Sequence, residues 1–353
     1  MPGAPVYLDH AASTPVRAEA RDAMLPYLGE LAGNPSSAHA AGRAARVGLE
    51  RARRQVAAAL GAEPAQVFFT SGGTEADNLA VRGAVLASTP AGHAAVSPVE
   101  HKAVLAAAHA GARFGGRETL LPVDAEGVVT PAALEATLAT RPAVVSVMWA
   151  NNETGVLQPI AALAERCRAA RVTFHTDAVQ AVGRVPVQFR DADLLTVSGH
   201  KLGAPKGVGA LLVRDRAALS PLVHGGAQQQ ALRPGTENLA GAVALGVALE
   251  LAVREQAAEA VRLAALRDEL ERRLLAAVPG ARVAGAGAAR VPHVSGIMVP
   301  GADGAALLLH LDALGICASG GSACTTGSPE PSHVLAAMGV PRELALGFVR
   351  FSL

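Results

Sequence analysis

Leu194-Leu195-Thr196-Val197-Ser198-Gly199-His200-Lys201 begins as an apolar run of strand character and ends in a polar cluster that carries a lysine. Of the 31 basic residues in the chain only three are lysine, Lys102, Lys201 and Lys206. In a sequence so biased toward arginine, a lysine kept at a strand end is a candidate for what a guanidinium cannot do, such as forming an imine. A buried ammonium there has a depressed pKa and becomes a nucleophilic amine. The competing reading, an exposed loop lysine, is the residue's usual state. Scarcity, position and the company of other polar clusters favour the functional one.

On either side of this segment, up to about residue 215, short β-rich runs alternate with Ala-rich helical stretches. The pattern predicts strands at Val67–Thr70, Ala94–Ser97, Thr119–Leu121, Val144–Trp149, Val172–Thr176, Leu194–Val197 and Gly209–Val213. Helices are expected at Glu75–Leu86, Lys102–Ala110, Pro131–Leu138 and Ile160–Ala170. Apolar runs with little alternation, separated by helices, imply an α/β fold whose mostly parallel seven-stranded sheet is covered on both faces. From Glu237 a long helical pattern runs to about Val278 and is closed by Pro279-Gly280; its first half is apolar nearly all round, its second half amphipathic. A strand (Val294–Val299), a helix (Ala302–Leu314), a Gly/Ser-rich loop, a helix (Ser332–Met338) and a terminal strand (Leu346–Ser352) then predict a smaller α+β domain. The expected division is a large domain over 14–240 and a small one built from 1–13 and 241–353.

Composition narrows the class. The 353 residues are 50% hydrophobic and 17% charged, with a formal net charge of +1. That apolar content excludes disorder, and near-neutral charge with dispersed arginines argues against nucleic acid as a partner. Three cysteines without CxxC spacing exclude a disulfide scaffold and point to a reducing compartment, the cytoplasm. The longest apolar stretch, Leu239–Leu249, is too short to span a bilayer, and no signal peptide is expected at the start.

Ligands of open α/β sheets gather at the carboxyl ends of the strands, and polar clusters stand at several of these ends. Ser71-Gly72-Gly73-Thr74 joins a strand to a helix, where glycines admit close backbone approach and the helix start offers unpaired N–H groups. It reads as an anion cradle, with a Gly-rich turn capped by Thr74 as the even alternative. Asp177 at a strand end, with Gln180 three residues on, sets a carboxylate and an amide on one side of a ring-shaped ligand; alone it reads as a helix cap. Asn151-Asn152-Glu153-Thr154-Gly155 presents two adjacent amides, read as ligand contacts against an Asn turn. His101, in Glu100-His101-Lys102, offers an aromatic face. A phosphate cradle, a carboxylate, amides and an imine-forming Lys201 together suit pyridoxal phosphate better than a nucleotide. Finally, Ser319-Gly320-Gly321-Ser322-Ala323-Cys324 places a cysteine in a small-residue loop, the candidate thiolate nucleophile. Cys317 reads as buried in a strand-like run and Cys167 as structural in a helix; without paired spacing, zinc is not expected. Gly285-Ala286-Gly287 lacks the third glycine of a dinucleotide fingerprint.

These segments, with Tyr7–Ala12, Gly33-Asn34-Pro35-Ser36-Ser37, Arg233–Asn238 and Arg350-Phe351-Ser352, resemble the cysteine desulfurases along nearly the whole chain, in order. Within that family they are similar to the group that serves iron–sulfur cluster assembly and has a long cysteine loop. The resemblance implies fold type I, pyridoxal phosphate as cofactor and a homodimer with its site at the subunit boundary. It implies Lys201 as the Schiff-base lysine, with Gly73, Thr74, Ser198 and His200 on the phosphate and Thr236 reaching the partner subunit's phosphate. It further implies Asp177 on the ring nitrogen, Gln180 on the ring hydroxyl, and His101 stacked and moving protons. Asn152, Arg350 and Asn34 are the implied substrate residues, and Cys324 the implied sulfur acceptor. The product would be L-alanine with a persulfide on Cys324, passed to a cluster scaffold or other acceptor, toward which Cys324 would also be a transient iron–sulfur ligand. The alternatives are a selenocysteine lyase or a catalytically impaired regulatory protein of the same fold. Two departures accompany the resemblance. Relatives continue past the position of Leu353 by a helix and tail, so an incomplete scaffold-docking region is expected. Gln228-Gln229-Gln230-Ala231 stands where a Gln-Glu-Arg-Gly-like run is usual, which removes two charges near the expected subunit boundary.

Overall fold

The structure, a computed structural model, describes residues 5–88, 92–113, 115–321 and 330–353. Among these the strands are β1 (Val6–Tyr7), β2 (Val67–Thr70), β3 (His93–Val96), β4 (Arg117–Leu120), β5 (Val144–Ser146), β6 (Thr173–Asp177), β7 (Leu194–Ser198), β8 (Gly209–Val213), β9 (Arg282–Val283), β10 (Val294–Met298), β11 (Ile316–Cys317) and β12 (Phe348–Ser352). The helices are α1 (Ala18–Met24), α2 (Ala40–Leu60), α3 (Gly73–Ala87), α4 (Lys102–Ala112), α5 (Pro131–Leu138), α6 (Ile160–Ala169), α7 (Leu239–Ala277), α8 (Gly304–Ala313), α9 (His333–Ala337) and α10 (Arg342–Ala345).

The seven expected strands form one sheet in the order β2-β8-β7-β6-β5-β3-β4. Strands β7, β6, β5, β3 and β4 run parallel, and β8 is antiparallel to both β2 and β7. Because β2 is thus parallel to β7, their carboxyl ends open on the same edge, together with those of β3, β5 and β6. Consecutive side chains on each strand face opposite layers. Phe68, Val96, Val144, Leu194 and Leu211 pack with α3 and α4, whereas Val67, Phe69, Val145, Leu195 and Leu212 pack with α2, α6 and α7. Both faces are therefore dry, which is why these strands read as apolar runs and not as alternating ones.

The N-terminal helices α1 and α2 carry no strong apolar signature and were not anticipated. The buried face of α2 includes Ala45, Gly48, Leu49, Ala52 and Val56; Gly48 lies against Tyr27, and Ala52 meets Gly246 of α7. The helix stops at Gly61, whose φ of 67° suits glycine. Helix α7 is longer than either neighbour. Its first third, Leu239–Leu251, is nearly all buried, and the rest exposes the arginines and glutamates of an amphipathic surface.

The smaller sheet, β12-β10-β9, is antiparallel and packs with α8, α9 and α10. The N-terminal segment is tied to it: β1 pairs parallel with β11, and the Ser352 N–H donates to the Leu8 carbonyl at 2.8 Å. Some expected boundaries contract. The strand expected to reach Trp149 ends at Ser146, where the chain leaves the ladder to build the site, and the helix expected from Ala302 begins at Gly304, capped by Asp303. Cys317, expected to be buried, is only half-buried because β11 pairs on one side with the two-residue β1. Cys167 is buried in α6 as expected, and burial pushes its thiol up to about 12. Among the described residues no helix is long and apolar enough to cross a membrane.

Candidate active site

At the carboxyl edge lies a cavity of about 370 Å³ lined by Gly73, Thr74, His101, Asn152, Asp177, Gln180, Ser198, His200, Lys201 and Arg350. Ten of the thirteen residues singled out from the sequence thus converge from six different segments. Asn34 and Thr236 are exposed and not among its lining residues. Asn34 accepts from the Ser36 N–H at 2.9 Å, fixing its own turn. Cys324 lies outside the described residues.

One wall is the start of α3. Gly72 has φ 155°, and a Cβ at Gly73 would stand 3.3 Å from Val179 and 3.4 Å from Ser198, so the backbone is drawn tight against the cavity. No side chain caps the helix start from Gly72, leaving first-turn N–H groups, the positive end of the helix dipole and the Thr74 and Ser198 hydroxyls for an oxyanion. His200 sits beside them. Burial and then Lys201 push its imidazole down to about 4, so it is neutral near pH 7 and acts through hydrogen bonds.

The floor is formed by Asp177, the last residue of β6, and Lys201, just after β7. Asp177 accepts from the Val179 N–H at 2.9 Å. Burial holds its carboxyl above the usual range although His101, that N–H and Lys201 pull the other way. A cationic N–H placed against it would reverse the shift. Lys201 Nζ donates to the carbonyls of Ala11 at 2.5 Å and Ala12 at 2.7 Å, so the N-terminal segment aims the amine. Gln180 Nε2 donates to the same Ala11 carbonyl at 2.9 Å.

His101 forms the roof as N-cap of α4. Its Nδ1 accepts from the Ala103 N–H at 3.1 Å, which leaves the proton on Nε2. Burial lowers its pKa, with Lys201 and Lys102 adding to the effect and Asp177 opposing it. Of the two amides, Asn151 is structural: its Oδ1 accepts from the N–H groups of Glu153 and Thr154 at 2.9 Å each, the turn weighed against ligand contact. Asn152 faces the cavity. Arg350 in β12 is 3% exposed; one Nη donates to Asp9 at 2.8 Å, another to the Asn152 carbonyl at 2.9 Å, and its Nε finds no acceptor among the described residues.

Asp77, Glu153, Lys102 and His333 also line the cavity but were given no role from the sequence. Asp77 falls one helical turn after Gly73 and Thr74, so helical spacing contained the signal. It is 1% exposed, and burial and then the neighbouring Asp177 hold its carboxyl well above the usual range. Glu153 is buried against the Ser332 hydroxyl, and burial raises it to about 7. His333 belongs to α9 and carries no local signal. Behind the floor, His175 is held between Ser146 at 2.8 Å and Thr196 at 3.0 Å, and burial pushes it down to about 3.

The family description Aminotransferase class-V matches residues 6–353. The chain is 49% identical over 352 residues to a cysteine desulfurase of Cereibacter sphaeroides, covering 99% of this chain and 90% of that protein. It is 45% identical over 351 residues to cysteine desulfurase IscS of Dictyoglomus turgidum, covering 99% and 89%. A solved structure titled NifS-like protein superposes with a TM-score of 0.91 at 34% identity, covering 99% of this chain and 93% of that one. With a family match over residues 6–353 and relatives 45–49% identical over 99% of its length, the chain belongs to the class-V aminotransferase family, among relatives named cysteine desulfurases.

Proposed function

We propose that this chain is a pyridoxal phosphate-dependent cysteine desulfurase, converting L-cysteine to L-alanine and retaining the sulfur as a persulfide on Cys324. The single observation that carries the reading is the convergence, in one cavity, of an uncapped helix start, a buried carboxylate and a lysine amine. The residues fit the cofactor. The glycine-lined start of α3 with Thr74, Ser198 and His200 suits its phosphate, the buried Asp177 suits its ring nitrogen, and Lys201 is the amine within the cavity. Gln180 would meet the ring hydroxyl and His101 the ring face, while Thr236, outside the cavity of one chain, would serve the partner subunit's site. When bound, pyridoxal phosphate supplies an aldehyde for amine condensation and an electron-poor ring that takes up electron density from the substrate Cα.

The protein's own groups do the rest. Arg350 and Asn152 hold the substrate carboxylate at the β12 side of the cavity, with Arg350 fixed by Asp9. Asn34 is proposed as a further substrate contact brought in by assembly. Lys201 takes the proton from the substrate Cα, held at its post by the Ala11 and Ala12 carbonyls. His101, neutral with its proton on Nε2, moves a proton at the substrate sulfur. Cys324 as thiolate accepts that sulfur. In this reading the chain acts as a homodimer with a large domain over 14–240 and a small one of 1–13 and 241–353. It is cytoplasmic and hands its sulfur to an iron–sulfur scaffold or other acceptor, toward which Cys324 is also the transient cluster ligand.

Incubating the purified chain with pyridoxal phosphate and L-cysteine, and measuring alanine and protein persulfide together, tests the proposal. Equal amounts of the two in a single turnover are expected. Alanine without persulfide on Cys324, or no alanine from a cofactor-loaded protein, would refute it.

A further inference from the structure

We infer that a second cavity, under the loop that carries Lys201 and between Arg184 and helix α7, binds a small oxyanion of sulfate or phosphate size. Its volume is about 260 Å³, and Thr14, Arg17, Arg184, Glu255, Glu259 and Arg262 are among its walls. Side-chain charges there do not balance: the guanidiniums of Arg17, Arg184 and Arg262 and the ammonium of Lys201 face the carboxylates of Glu255 and Glu259. Both carboxylates are committed. Glu255 pairs with Arg17 at 2.6 Å, and Glu259 accepts two hydrogen bonds from Arg262 at 3.0 and 2.6 Å.

Arg184 is the guanidinium left over. It lies partly buried at the turn after Gly183, and among the described residues its guanidinium makes no hydrogen bond or ion pair. Burial and then Arg17 hold it below its ordinary range, and its charge also helps to depress His10, which shares the cavity. A planar fork of donors lining a half-open polar cavity, in a net positive field, is matched by an oxyanion that accepts two parallel N–H groups. A cation is disfavoured by the same imbalance.

The position gives such an anion a consequence. The Arg17 N–H donates to the Gly203 carbonyl at 2.8 Å, and Thr14 donates its N–H and hydroxyl to the His200 carbonyl at 2.9 and 2.8 Å. The wall of the second cavity is thus also the brace of the Lys201 loop, so an occupant that orders Arg17 and Arg184 stabilises the folded site by mass action.

The test is thermal unfolding of the cofactor-loaded protein, its phosphate cradle already filled, with sodium sulfate titrated against sodium chloride at constant ionic strength. The wild type is expected to show a saturable rise in unfolding temperature with sulfate. Arg184→Gln should shift the half-saturating concentration upward at least tenfold, and Arg184→Lys, keeping the charge but losing the fork, should fall between. No saturable response in the wild type, an identical response in Arg184→Gln, or a carboxylate of a second copy seated on Arg184 in a crystal would overturn the inference. Because the comparison is between variants at Arg184, failure here leaves the reading of the Lys201 cavity intact.

Discussion

Arg350 and Asp9 meet at 2.8 Å although 341 residues separate them, and this contact fastens the N-terminal segment to the strand that ends the smaller sheet. It also fixes the guanidinium toward the cavity, with the Asn152 carbonyl as its second anchor. The carboxylate that holds Arg350 in this structure is therefore the protein's own, and the substrate's must use the donors that remain.

Asp9→Asn should raise the KM for cysteine by about 10-fold, the cost of weakening a charged hydrogen bond, with little change in kcat. The cofactor absorbance should not move. Steady-state alanine production checks this, and an equal loss in kcat would show that Asp9 acts on the chemistry and not on binding.

The segment Gln229-Gln230-Ala231 has φ values of 47°, 54° and 57°, three successive left-handed residues without a glycine. The sequence departure expected to disturb a subunit contact does internal work as well. Gln229 Oε1 accepts from the Phe69 N–H at 3.1 Å and from buried Arg53 at 3.2 Å, and its Nε2 donates to Glu237 at 3.1 Å. Ala231→Gly should stabilise the fold by about 1 kcal/mol by relieving the left-handed strain. Gln229→Ala should destabilise it by about 2 kcal/mol, since the Phe69 N–H and Arg53 lose an acceptor. Urea unfolding of the two variants measures both.

Glu153, raised to about 7 chiefly by burial, binds its proton more tightly folded than unfolded. Its raised carboxyl costs nothing below the unfolded value near 4.5. Between there and about pH 7 the unfolded chain gives up the proton that the folded one keeps, so stability falls as pH rises. Glu153→Gln should remove up to about 1.4 kcal/mol per pH unit of this slope. Identical pH–stability curves for variant and wild type across pH 4.5–7 would contradict the assignment.

Most of the sheet was legible because its strands are dry on both faces and bounded by Gly-rich or polar turns, as at Val67–Thr70 and Gly209–Val213. Helix α2 was not, because much of its buried face is alanine and glycine, whose packing value comes from the surfaces opposite. In the site, residues at strand ends stood out by position. His333, in the short helix α9, meets the cavity only through tertiary packing, whereas Asp77 lies one helical turn after Gly73 and was within reach of helical spacing. Asn151 shows the converse: its neighbour Asn152 looks alike in sequence, yet only the fold separates the turn-maker from the residue that faces the cavity.

Cys167, with its thiol pushed up to about 12, should react with a maleimide at neutral pH far more slowly than half-buried Cys317. In a Cys324→Ala background, peptide mapping after labelling should find Cys317 modified first and no persulfide on either. Persulfide on Cys317 would reassign the sulfur acceptor.

The most direct measurement is reduction of the cofactor-loaded chain with borohydride, followed by mass mapping of its three lysines. A pyridoxyl phosphate adduct on Lys201, absent from Lys102 and Lys206, is the predicted result. An adduct on either of the others, or none while cofactor remains bound, would contradict the account.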